Sequence, residues 1–235
     1  MNNIKMNNLR KMGGVTALLA STLVFANSVE AISLIGNYPP TNDGGNTTIT
    51  SGTTQKAVGF TLPTGTDYRL DSIVLRLSNY KNTDTPLLQI YADTARTSTS
   101  PSGLTAALVT FIRPANQGGS PALGNDFIFL PNPTTFTFNA NTRYWLLVDA
   151  TAGFYDWRAS TSSPSITPAG ISGITFNSYQ TSATDGTIGS YGTDTNFSSF
   201  QINATAVPFE FEATGGLVML GGAWLLHKHL QKKKT

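Results

Sequence analysis

The sequence predicts an all-β protein, a jelly-roll-like β-sandwich of about ten short strands followed by one C-terminal membrane helix. Three observations carry that expectation. Apolar residues alternate with polar ones over short runs, the period of a half-buried strand. Gly, Pro, Asn and Thr interrupt those runs at turn spacing. No helical period of comparable length competes with them between residues 32 and 206. With 235 residues, 40% of them apolar and 12% charged, the chain is long enough for one such domain plus appendages.

The first element is a leader. Lys5, Arg10 and Lys11 precede an apolar stretch of small residues over 13–26, and Val29-Glu30-Ala31 has the small-x-small form a signal peptidase reads, with Val29 and Ala31 at the cleavage site. The apolar run falls short of the ~17–25 residues that span a bilayer. Residues 1–31 are therefore read as a signal peptide, which makes the export machinery and signal peptidase the first partners.

Residues 32–206 are read as the exported domain. Ile73, Leu75 and Leu77 face one way while Val74 and Arg76 face the other, the signature of a strand. The same alternation recurs at 55–61, 87–92, 104–112, 126–130, 135–138, 143–149, 154–159, 174–179 and 197–204. The Val, Ile, Leu and Phe face of each strand is expected to turn inward. Stretches rich in Ser, Thr, Pro and Gly at 94–103, 113–125, 160–170 and 181–196 are read as loops at the ends of the sandwich, where function commonly resides.

The last element is residues 207–235. Positions 213–226 are apolar apart from Thr214, and counted from Pro208 to Leu226 the segment has 19 residues. At 1.5 Å per residue that matches a hydrocarbon core of ~30 Å, so a transmembrane helix is expected at about 208–226. Lys228, Lys232, Lys233 and Lys234 form a basic tail that stops transfer and stays cytoplasmic, which places everything before it outside. That orientation agrees with the leader.

Pro208-Phe209-Glu210-Phe211, the Gly-rich apolar segment and the basic tail together resemble the tripartite C-terminal signal of PEP-CTERM surface proteins, in the form of the cyanobacterial variant. The resemblance implies recognition of Pro208, Phe209, Glu210 and Phe211 by an exosortase-like sorting enzyme, processing near Val207-Pro208, and delivery to the cell surface or extracellular matrix. Phe209 and Glu210 stand where the commoner motif has Glu and Pro, so cleavage and retention of the helix are both open. Either way the helix anchors the protein at least transiently in the inner membrane. Asn141-Thr142-Arg143-Tyr144-Trp145-Leu146-Leu147-Val148 and Phe154-Tyr155-Asp156-Trp157-Arg158, with the segments at 72–77 and 88–93, resemble the choice-of-anchor R domain. This second resemblance implies a bacterial surface protein with a C-terminal anchor and brings no assigned activity.

The residue inventory limits the chemistry. The domain holds eight basic residues against ten Asp, a net charge of −2, and contains no Glu, His or Cys. Such a balance does not suit a nucleic-acid partner. A Ser-His-Asp triad cannot be built, and zinc lacks its usual ligands. The chain is read as non-enzymatic, with an Asp-dependent glycan hydrolase as the alternative, since two carboxyls ~5–9 Å apart would suffice. No cofactor is expected. Calcium is the one candidate ion, at Asp43, Asp185 or Asp194, and plain Asp turns are the competing reading there.

Glycan binding needs aromatic faces beside amides, hydroxyls and carboxylates. Tyr155 and Trp157 are candidates, although alternation equally allows both to be core. Tyr144 and Trp145 fall on opposite faces, which predicts that one is exposed. Tyr179 and Tyr191, in or beside the longest late loop, complete the candidate set. The functional expectation is a surface-sorted structural or adhesive protein associated with surface polysaccharide. A lectin-like module with a defined glycan ligand is its sharper form.

Overall fold

The computed structural model describes residues 30–39, 44–104, 106–115, 124–160, 166–183 and 191–208. The expected leader, with Val29, lies outside the described residues. So do Phe209, Glu210, Phe211, the basic tail, the helix expected beyond Pro208, Asp43 and Asp185. Ala31 and Pro208, at the two ends of the described domain, are both exposed. Among the described residues no helix is long and apolar enough to cross a membrane.

The described residues form fourteen strands. In chain order they are β1 (Ile32–Gly36), β2 (Gly45–Thr50), β3 (Gln55–Thr61), β4 (Tyr68–Ser78) and β5 (Thr85–Asp93). Then come β6 (Val109–Ile112), β7 (Asn125–Asn132), β8 (Thr137–Phe138), β9 (Arg143–Ala152) and β10 (Phe154–Ala159). The last are β11 (Ala169–Gly170), β12 (Thr175–Ser182), β13 (Tyr191–Asp194) and β14 (Phe200–Ala206). All their pairings are antiparallel, in the order β11-β1-β14-β4-β7-β6-β5-β9-β3-β12-β13, with β8 and β10 also on β4 and β2 on β10.

The sheet is continuous and curled, and β7 shows why. Its first part pairs with β4 through Phe129, while Leu130 to Asn132 pair with β6. One strand therefore joins two stretches of the curled sheet, and the inward side chains of both pack into one core. Phe127 and Phe129 point inward and Ile128 and Leu130 outward, as the pleat requires. On β4, Ile73, Leu75 and Leu77 are buried as their alternation predicts. Leu70 is buried too, out of phase with them, because the pairing with β14 shifts register between Ser72 and Leu70. A β-bulge of this kind re-aims the residues beyond it.

Ten strands were expected, and β1, β2, β11 and β13 are additional. The sequences Gly45–Thr50 and Tyr191–Asp194 lack the apolar alternation that marks a strand, and β11 and β13 fall in stretches read as loops. These segments are held by backbone pairing to β10, β1 and β12 rather than by an apolar face of their own. The strand expected from residue 104 begins only at Val109.

The core also contains a cation. Lys56, on β3, is fully buried, and its ammonium pairs with the Asp194 carboxylate at 2.9 Å. It donates to Thr47 Oγ1 and Ser198 Oγ, each at 3.0 Å, and to the Asn196 carbonyl. The rings of Tyr179 and Trp157 lie 5.1 and 5.8 Å from it, within cation–π range. Burial pushes the Lys56 ammonium below its usual range, and Asp194 offsets part of that. Burial alone would raise the Asp194 carboxyl. Lys56, the Thr181 hydroxyl and the Asn196 N–H outweigh it and hold the carboxyl low.

Candidate functional site

Three of the four aromatic residues singled out from the sequence are inaccessible. Tyr155, Trp157 and Tyr179 have no exposed surface, so no sugar ring reaches them. Each buries its ring and ties its polar tip to backbone. The Tyr155 hydroxyl donates to the Asp149 carbonyl at 2.5 Å, Trp157 Nε1 to Ser199 at 2.8 Å, and the Tyr179 hydroxyl to Ser198 at 2.6 Å. For Tyr155 and Trp157 this follows from alternation on β10. Tyr179 is buried for a tertiary reason: β12 lies between β3 and β13 instead of at the edge of a loop. Burial pushes the Tyr155 and Tyr179 phenols well above their usual range.

Tyr191 is different. It is half-exposed and lines a cleft of about 270 Å³ on the outer face of the sheet. Register assembles this cleft from distant segments. On β9, Trp145, Leu147 and Asp149 share the outer face. Across the β5 pairing, Tyr91 sits opposite Trp145 and Gln89 opposite Leu147. Across the β3 pairing, Gly59 sits opposite Trp145 and Ala57 opposite Leu147, with Gln55 at the strand's start. Gln55 in turn pairs with Ser182, and Ser182 with Tyr191. Pro101, Ser102, Gly103 and Leu104 form the remaining wall.

Several local features hold the cleft in shape. Gly59 leaves room for the Trp145 indole, since a Cβ there would stand 2.8 Å from the six-membered ring. The indole is almost fully buried beneath Tyr91, Leu104 and Tyr191. Tyr144 and Trp145 do lie on opposite faces, yet neither is exposed, because Tyr144 packs in the main core and Trp145 in an outer-face cluster that Tyr91, Leu104 and Tyr191 pack against. Asp93 anchors the root of the covering loop by accepting from the Thr97 and Ser98 N–H groups at 3.3 and 3.0 Å and pairing with Arg143 at 2.6 Å.

The wall is a relay of hydrogen bonds. The Tyr191 hydroxyl donates to Gln55 Oε1 at 2.8 Å, and Gln55 Nε2 donates to the Asp149 carboxylate at 2.9 Å. The Tyr91 hydroxyl donates to Gln89 Oε1 at 2.9 Å. Burial, and then the charge of Asp149, raise the Tyr91 phenol. Two buried donors near the cleft, Ser102 Oγ in its wall and Trp145 Nε1 beneath it, have no hydrogen-bond partner among the described residues. Among the described residues the lining thus offers phenols, amides, a hydroxyl and one carboxylate, with no basic side chain.

Among the described residues no group of three or more Asp, Glu, His or Cys is placed to hold a metal ion. Asp194, a calcium candidate from the sequence, instead faces the buried Lys56 ammonium, and both its oxygens take protein donors.

Gln55, Gln89, Tyr91, Ser102 and Asp149 were not singled out from the sequence. They share no motif: Gln55, Gln89, Tyr91 and Asp149 hold outward positions on three strands that register later brings together, and Ser102 lies in the loop after β5. The chain matches no known protein family and no curated relative.

Proposed function

We propose that the protein is an exported, surface-sorted, non-catalytic structural or adhesive component that associates with cell-surface or extracellular polysaccharide. In this reading the curled sheet is a jelly-roll-like sandwich, and the segment beyond Val207 is a sorting signal acted on by an exosortase-like enzyme. The observation that carries it is the outer-face cleft, where half-exposed Tyr91 and Tyr191 stand beside amides, a hydroxyl and a carboxylate. That is the mixture a polyol ligand requires: apolar faces for ring C–H groups and convergent polar groups for hydroxyls.

Cosedimentation of the purified protein with the producing cell's isolated surface polysaccharide tests the reading, with and without calcium. Retention that soluble fragments of the same polysaccharide compete away supports it. Absence of retention in both conditions overturns it. Release of reducing ends from the polysaccharide, abolished by Asp149→Asn, would replace it with the hydrolase reading.

A further inference from the structure

We infer that the cleft between Tyr91 and Tyr191 is the polysaccharide contact and that it receives one neutral hexopyranose residue; this rests on the polysaccharide reading above.

Size is the first ground. A volume of about 270 Å³ lies just below the ~300–1,000 Å³ typical of sites for drug-sized ligands. That leaves room for a single sugar ring rather than for a long stretch of chain.

Pre-organisation is the second. Both phenols at the cleft are already oriented, Tyr91 by Gln89 and Tyr191 by Gln55. Gln55 is itself fixed by the Asp149 carboxylate. Binding therefore orders few side chains, which limits the entropic cost of association. The electron-rich faces of the two phenols suit the partially positive C–H groups of a pyranose, and Leu147 and Leu104 continue that apolar surface.

An unsatisfied donor is the third. Ser102 Oγ is buried in the wall without a partner among the described residues. Leaving a buried hydroxyl unpaired is unfavourable, and a ligand hydroxyl placed at that wall satisfies it.

Charge sets the ligand class. Asp149 is the charged group of the lining, and among the described residues no Lys, Arg or His lines the cleft with it. A uronate, sulfate or phosphate in the cleft would meet the like charge of the Asp149 carboxylate, a repulsive arrangement. Neutral hydroxyls both donate to Asp149 and accept from the wall.

The test uses the full purified protein in retention assays on isolated surface polysaccharide. Tyr191→Ala and Ser102→Ala are compared with wild type and with Ile128→Ser, which lies on an exposed face elsewhere. Soluble competitors are the methyl glycosides of glucose, galactose and mannose, set against galacturonate. We expect Tyr191→Ala to weaken retention at least tenfold and Ser102→Ala several-fold, with Ile128→Ser unchanged. At least one neutral glycoside should compete and galacturonate should not.

A second readout needs no variant. Bound polysaccharide should protect Tyr91 and Tyr191 of the wild type from nitration. Retention that persists in both cleft variants, or an absence of protection during retention, overturns the site while leaving the polysaccharide reading intact. Competition by galacturonate, or by no neutral glycoside, overturns the ligand class. Failure of wild type to be retained overturns the polysaccharide reading and this inference together.

Discussion

Replacing Asp194 by Asn tests how the core tolerates a buried ammonium. Lys56 has no exposed side-chain surface, and Asp194, at 18% exposure, is its charged partner at 2.9 Å. Removing one partner of a buried pair commonly costs ~3–5 kcal/mol, because the other charge stays behind uncompensated. Here Thr47 Oγ1, Ser198 Oγ and the Asn196 carbonyl still accept from the ammonium. The loss should therefore lie at the low end, about 3 kcal/mol. In a domain of this size that lowers Tm by about 6–12 °C.

Equilibrium urea unfolding is the assay, with an unchanged m-value showing that the two end states are preserved. Lys56→Met combined with Asp194→Asn should recover most of the loss, since an apolar replacement of a buried pair is often close to neutral. The acid limb gives an independent check. Asp194 titrates below its usual range in the folded protein, so the unfolded chain takes up that proton first as pH falls. Its contribution is complete above the unfolded value near 3.8 and is lost as pH drops through the folded one. Asp194→Asn should flatten that limb. A cost under ~1 kcal/mol, the range of an exposed pair, would refute the reasoning.

Further outcomes follow from the same geometry. Gly59→Ala should destabilise by ~1–3 kcal/mol, the usual range for overpacking, and shift tryptophan emission, because the new Cβ collides with the Trp145 ring; unchanged emission and stability would contradict the packing described. Trp157→Phe removes the 2.8 Å bond to the Ser199 carbonyl and should cost ~1–3 kcal/mol in the same unfolding assay. At alkaline pH, Tyr155 and Tyr179, whose folded phenols titrate well above 10, contribute stability that is complete below the unfolded value near 10 and is lost as pH rises above it. Their phenolate absorbance should therefore appear together with loss of the β-sheet circular dichroism signal; ionisation before unfolding would show the rings to be accessible.

Much of the strand pattern was legible because alternation is local. Ile73, Leu75 and Leu77 declare an inward face whatever pairs with them, and Tyr155 and Trp157 share one face of β10 for the same reason. The candidate site was mostly illegible. Of the aromatic residues the sequence offered as ligand contacts, Tyr191 lines the cleft, while Tyr91 went unremarked because an outward tyrosine on a strand looks ordinary until its neighbours are known. Edge strands such as Tyr191–Asp194 were missed because they contribute backbone pairing rather than an apolar stripe.

The sequence by itself determined the all-β class and the alternation of most strands, because these depend on the two-residue pleat and on nearby turn formers. Only the tertiary structure decided which strands became neighbours and in what register. A shift of one residue turns every side chain to the other face, so the meeting of Gln55, Gln89, Tyr91, Asp149 and Tyr191 is a property of long-range pairing. The same is true of Lys56. A lysine in a strand ordinarily marks an outward position, and here it points inward because Asp194, Thr47, Asn196 and Ser198, all remote from it or on other segments, converge to receive its charge.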